Sequence, residues 1–445
     1  MKKTVAGLLL LAIVCIATVP YWFGVQSEKS YRQYMDRLAQ SPNIEVDRSD
    51  YKRGWWSSVA DIEIRIPRLA MQASLTHDIE HGPFPLTGFT QRILAFDPVQ
   101  AVIYSQGTVH SSRQDGGSSS PLSVHTRVDM LANTVSRLDL PSGESHTNSG
   151  QRLLWKRVNG EFSSTSGGDS LTGWFESDGV TIDADGGNLE VGAITIEFDM
   201  NKGTSGLSLG EAIIRTEQLA IRGSENSDQD VSINDLRYIT SSGESNGLAQ
   251  LSMLTELGHA TYSGVRYGPG TLSLVLKDMQ AKQLAQFQAG AREGSITLNE
   301  ILLALSTGQP KVEANLEFQT EDGPVSGVAN LVVNGSQVGN MGVFGLLSAI
   351  NAVAELGAPG PIVSKMLALG ARRKLRTLEA QGKLEPPSPE QESIVVAALV
   401  DQQLQGLLAQ KQLVQDGDRL VLKTVFRDGQ LTMNGEPVGL FGSGR

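Results

Sequence analysis

The chain has 445 residues, of which 19% are charged and 40% hydrophobic, enough apolar content for two or three folded domains or one elongated repetitive one. A net charge of −11 argues against nucleic acid as the main partner, because phosphate binding needs clustered Lys and Arg. With 48 glycines and only 6% aromatic residues, many turns and short strands are expected rather than helices.

Lys2 and Lys3 precede an uncharged run, residues 5–25, long enough to span roughly 30 Å as a helix. The two lysines would hold the N-terminus in the cytoplasm and place the rest of the chain outside the inner membrane. Tyr21, Trp22 and Phe23 would form an interfacial aromatic belt at the far end. No small-x-small cleavage site follows the apolar core, and Val14 rather than a small residue precedes Cys15. An uncleaved anchor over residues 1–26 is therefore expected in preference to a signal peptide or a lipoprotein. Cys15 is the only cysteine, so a disulfide, a thiolate metal site or a cysteine nucleophile is not available to the exported part.

Residues 27–41 read as a short helix, with Tyr31, Tyr34, Met35 and Leu38 at helical spacing. Then Ile62, Ile64 and Ile66 alternate with charged residues, which predicts a strand with one wet face, ended by Pro67. From Met71 to about Asn340 the pattern is strand after strand, with tight turns expected at Asn159-Gly160, Asp178-Gly179, Asp322-Gly323 and Asn334-Gly335. Two helical islands interrupt it, near Ala281–Ala291 and Thr297–Gly308. The strand-rich periplasmic region is thus 27–340, an expected long, curved antiparallel sheet.

A helical subdomain is expected over 341–412. Phe344, Leu347, Ile350 and Val353 make one helical stripe, with Gly357 as a C-cap. The next helix carries Arg372, Arg373, Lys374 and Arg376, read as complementing the helix dipole, with an anionic-lipid patch as the alternative. Ser388, Pro389 and Gln391 predict an N-cap and capping box for a helix running to about Lys411, with Ile394, Ala398, Leu404 and Leu408 along one side. Residues 413–445 close the chain as a strand, an Asp428-Gly429 turn, a strand, an Asn434-Gly435 turn and a terminal segment. The fold class is mainly β with α.

The anchor, "YKRGWWSS" (Tyr51–Ser58), "HGPFPL" (His81–Leu86) and "RDGQLTMNGEPV" (Arg427–Val438) together resemble the YdgA-type family of bacterial inner-membrane-anchored periplasmic proteins of unassigned function. The general plan is also similar to AsmA-like envelope proteins, whose long sheets carry an apolar groove implicated in lipid transport. That second likeness is one of architecture, which does not fix function.

The stretch His77-Asp-Ile-Glu-His81 has a spacing used by zinc proteases, but it would bring two histidines together only on a helix. Here Met71, Ala73, Leu75, His77, Ile79 and His81 alternate with polar residues, and Gly82-Pro83-Phe84-Pro85 cannot continue a helix. A strand is expected, with the histidines about 13 Å apart. No catalytic residue, metal site or cofactor is assigned. The candidate docking residues are Arg53, Gly54, Trp55, Trp56, His81, Gly82, Pro83, Phe84, Pro85 and Leu86, and the anchor residues are Lys2, Lys3, Tyr21, Trp22 and Phe23. Two readings of "HGPFPL" stand: an end-plug in which His81 bonds backbone and Phe84 fills the core mouth, or a docking site for a partner or lipid. Trp55 and Trp56, being adjacent, are expected on opposite faces of a strand. The expected function is a non-enzymatic, membrane-anchored envelope protein binding or conveying a lipid or other hydrophobic ligand in a sheet groove. The alternatives are a homo-oligomeric envelope scaffold and a hydrolase with an unrecognised site.

Overall fold

A computed structural model describes residues 2–39, 44–67, 71–85, 87, 97–111, 119–146, 150–184, 186–223, 230–262, 265–293, 308–334, 348–381 and 388–438. The side chains of residues 2–17, 37, 111, 289–293, 308, 380 and 389 are not among those described. The chain is mainly β and antiparallel, and it divides into two compact units: residues 1–234 with 288–296, and residues 235–287 with 297–445.

The first unit opens with α1 (Lys2–Ala39), one continuous helix through Pro20, where a short second helix after residue 26 was expected. Gln26 to Lys29 contain no breaker, so nothing stops the helix at the end of the apolar run. Its stripe also differs from the expected one: Met35 is buried, but Tyr34 is 60% exposed. Among the described residues no helix is long and apolar enough to cross a membrane.

Six strands follow: β1 (Glu45–Arg53), β2 (Ser57–Ile66), β3 (Met71–His81), β4 (Val99–Ser111), β5 (Ser120–Asp129) and β6 (Thr134–Leu140). After them come β7 (Gly143–His146), β8 (Arg152–Trp155), β9 (Val158–Ser164), β10 (Ser170–Ser177), β11 (Val180–Ala184), β12 (Gly187–Val191), β13 (Ile194–Lys202) and β14 (Ser208–Gly223). β1 to β6 pair in chain order, and the ladder continues through β9, β10 and β13 to the first half of β14. The second half of β14 pairs instead with β12, which leads through β11 and β8 to β7. This second ladder packs back on the first: Leu153 and Trp155 of β8 form a core with Ala73 of β3 and Val109 of β4.

Asn159-Gly160 is not a turn but part of β9. A Cβ at Gly160 would collide with the Phe175 ring of the neighbouring strand, so the glycine is used for aromatic packing. Phe175 lies 6.0 Å from Phe162 and 5.9 Å from Phe198, a ladder of three rings across three strands. Asp178-Gly179 does turn the chain, but it joins β10 to β11, which are not paired with each other.

The second unit contains β15 (Val231–Ser245, counted from Asp235), β16 (Leu248–Leu257), β17 (His259–Tyr262), β18 (Val265–Gln280), α2 (Ala281–Glu293, to Phe287), β19 (Gly308–Thr320) and β20 (Gly323–Val333). It continues with β21 (Ile350–Pro359), α3 (Gly360–Ala380), α4 (Pro389–Ala409), β22 (Val414–Asp416), β23 (Arg419–Arg427), β24 (Gln430–Met433) and β25 (Glu436–Val438). The main ladder runs β15, β16, β18, β19, β20, β21, β23, β24, β25. The turns at Asp322-Gly323, Asp428-Gly429 and Asn434-Gly435 form as expected, and the last two supply positive φ at both residues. Asn334-Gly335 and the helical island at 297–308 lie mostly outside the described residues, whereas α2 matches the island at 281–291.

The helical subdomain expected over 341–412 is corrected at its start. Ile350–Pro359 is a strand between β20 and β23, so Ile350, Val353 and Gly357 are strand residues. Ile350, Ala352, Ala354, Leu356 and Ala358 fit period two equally well, and two flanking ladders outweigh the helical propensity of Ala, Leu and Glu. Phe344 and Leu347 lie outside the described residues. α4 has the expected capping box: Gln391 N–H donates to Ser388 Oγ, and Ser388 N–H donates to Gln391 Oε1. Its packed face is Val396 and Val400 against Ala371 and Leu375 of α3, while Ile394 is 69% exposed. Residues 394–400 are apolar without interruption, so periodicity could not select the buried side.

Candidate functional site

Two features of these units could carry function. The first is the seat of α1, where the motif residues of the sequence meet. Gly24, Glu28, Tyr31 and Met35 recur at helical spacing and face the first strands. Tyr31 lies 5.2 Å from Tyr51 and 6.0 Å from His77, ring to ring. Arg53 forms an ion pair with Glu28 at 3.0 Å and lies 5.2 Å from the centre of the Tyr21 ring. Tyr21 in turn packs on Trp55 at 4.9 Å. Gly54, Trp55 and Trp56 form the β1–β2 turn rather than a strand, so the alternation of faces expected of a strand does not apply to the two tryptophans. Both are open to solvent, Trp55 at 50% and Trp56 at 38%. With Trp22 at 61% they leave an exposed aromatic group beside the helix, while Phe23 is buried.

His81 is the buried centre of the seat, at 1% exposure. Its ring contacts Ser58 Oγ through Nε2 at 2.9 Å and the Trp55 carbonyl through Nδ1 at 3.4 Å. A neutral ring satisfies both: Ser58 donates to Nε2, and Nδ1–H donates to the carbonyl. Burial pushes the His81 imidazole below its ordinary pKa, as it does that of His77, which bonds Ser105 Oγ at 2.6 Å. Gly24 abuts the His81 ring, and a Cβ there would overlap it. The segment after His81 anchors to β4: Gly82 N–H donates to the Gln100 carbonyl at 2.6 Å, and Val99 N–H to that of Pro83 at 3.0 Å. Phe84 is half-buried, Pro85 is buried, and Leu86 lies outside the described residues. The sequence singled out one half of this seat. It missed Gly24 and Glu28, whose signal was their spacing with Tyr31 and Met35.

The His77-to-His81 stretch is β3, a strand, so the zinc-helix arrangement does not form. Among the described residues no three His, Cys, Asp or Glu side chains gather as a metal-binding group.

The second feature is one face of the second unit. In one cross-strand row stand Thr255, Leu272, Leu316, Gly327, Leu356 and Leu422. The adjacent row is Met253, Leu274, Ala314, Ala329, Ala354, Thr424 and Met433. The opposite face is mixed: Ser273, Asn315, Glu355 and Lys423 stand there beside Val328 and Val353, which are exposed too. A large apolar face packed under a second layer would be buried; here Leu272 is 40% and Leu356 43% exposed. Leucines rise beside a floor of alanines and Gly327, leaving an open trough of about 220 Å³. That is below the ~300–1,000 Å³ of ordinary ligand pockets.

These observations define a mainly β, antiparallel protein with a helix keyed to its first strands and an apolar sheet face left partly open. The chain belongs to a bacterial protein family of unknown function, DUF945, whose model matches residues 1–440. No curated protein and no solved structure gives a significant match.

Proposed function

We propose that this is a non-enzymatic, membrane-anchored envelope protein that holds or passes a lipid chain along the apolar face of its second unit. In this reading residues 5–25 cross the inner membrane, the N-terminus is cytoplasmic and the bulk of the chain is periplasmic. The observation that carries the ligand reading is the leucine-walled trough, with Leu272 and Leu356 exposed in it. Solvating such a face costs about 25 cal/mol per Å² of apolar surface, which an acyl chain would recover on binding. The anchor is supported by the uncharged run behind Lys2 and Lys3 and by the exposed Tyr21, Trp22, Trp55 and Trp56. Such rings prefer the membrane–water boundary.

The ligand test compares the full chain with its Ala354→Trp variant, both extracted from membranes in mild detergent, by mass spectrometry of bound lipid. Ala354 lies on the trough floor, so an indole there fills the space without touching the strand ladder. Lipid should accompany the native chain and fall several-fold in the variant. Absence of lipid from the native chain, or equal lipid in both, removes the carrier reading. Cross-linking of two copies through this face would favour the scaffold instead. The anchor has its own test: the protein should stay with membranes through an alkaline carbonate wash, and release would end that part of the proposal.

A further inference from the structure

The helix α3 presents two different sides. Ala371 and Leu375 pack on Val396 and Val400 of α4. At 100° per residue, Met366, Leu369, Arg373 and Arg376 fall on the opposite side. Met366 is 67% and Leu369 38% exposed, and Arg372, Arg373, Lys374 and Arg376 are all exposed. Arg372 reaches Glu392 at 3.9 Å, but among the described residues no ion pair holds Arg373, Lys374 or Arg376.

The helix dipole does not account for this cluster. α3 runs on to Ala380, and its last turn contains no basic residue. Dipole effects fade within the last turn, so cations before it gain little. Four cations in five positions also run against a chain whose net charge is −11. Two exposed apolar side chains, followed one turn later by arginines on the same side, have the layout of a helix lying in a headgroup layer.

We propose that this outward side of α3 docks on an anionic lipid surface, Met366 and Leu369 entering the headgroup–acyl boundary and Arg373 and Arg376 meeting lipid phosphates. Charge complementarity selects this occupant over a neutral membrane. It rests on the preceding reading only in that a membrane lies within reach, and it needs neither the trough nor its ligand.

The test uses the full chain carrying Cys15→Ser and Met366→Cys, labelled at residue 366 with an environment-sensitive dye. It is incorporated into vesicles of phosphatidylcholine alone or mixed with phosphatidylglycerol. A blue shift in dye emission should appear with phosphatidylglycerol, vanish with added salt, be lost in Arg373→Glu/Arg376→Glu and persist in Arg373→Lys/Arg376→Lys. Equal emission in both vesicle types, or a shift that survives charge reversal, overturns the proposal. A shift that follows protein density rather than lipid charge does so too, because it assigns the face to a second copy. Carbonate-resistant insertion reports on α1 alone, so failure of the anchor and failure of this face are separable.

Discussion

At Gly24 a single methyl group has no room, because the His81 ring occupies the position a Cβ would take. Alanine gains about 0.5–1 kcal/mol over glycine in a helix. Overpacking a filled site costs about 1–3 kcal/mol, so the clash wins. Gly24→Ala should therefore lower the thermal midpoint in detergent, whereas the same change in a His81→Ala background should be neutral or stabilising. Additive effects in that double-mutant cycle would refute the contact. The two histidines also set a pH dependence. Burial holds both imidazoles below their ordinary 6.5 in the fold, so the unfolded chain binds protons more readily. The stability linked to the neutral rings is complete above that value and is lost as pH falls below it towards the depressed values. Unfolding midpoints should hold above about pH 6.5 and drop as pH falls below it. The drop should shrink in His81→Gln; an unchanged profile would place the titration elsewhere.

At the scale of elements, Ser388 gives the clearest expectation. Ser388→Ala removes the side-chain acceptor for Gln391 N–H and should cost about 1 kcal/mol. Amide exchange in the first turn of α4 should accelerate about fivefold, while the strands of the first unit keep their rates. That cap could be read from the sequence because its signature is local. The same holds for Asp428-Gly429 and Asn434-Gly435, whose residues tolerate the φ their turns require. Asn159-Gly160 misleads because its glycine serves Phe175 on another strand. Ile350–Pro359 misleads for a related reason: short apolar runs satisfy both periods, and the choice is made by β20 and β23.

For the whole molecule, alternation in the sequence reveals that the sheets have an apolar side but not that part of it lies open. Exposure depends on what the rest of the chain covers, which no single strand encodes. The seat of α1 was half legible, since "YKRGWWSS" and "HGPFPL" stand out while their helical partner reads as plain anchor. The two units also make a spectroscopic prediction. All five tryptophans, at positions 22, 55, 56, 155 and 174, fall in the first unit. Tryptophan fluorescence should thus follow that unit alone, and circular dichroism both. Denaturant curves from the two probes should separate, as expected of multidomain chains. Superimposed curves would show that the units unfold together.

The keying of α1 has a mechanical consequence. A helix joined to its sheet by a flexible neck can swivel, and motion at one end is lost before it reaches the other. Here Gly24, Glu28 and Tyr31 are each engaged by a different strand or turn residue, over two turns of helix. Rotation about the helix axis would break all three engagements at once. The part of α1 after Pro20 is therefore fixed in heading relative to the first strands, and Pro20, which removes one backbone hydrogen bond, is the one position between this seat and the apolar run where the helix can bend.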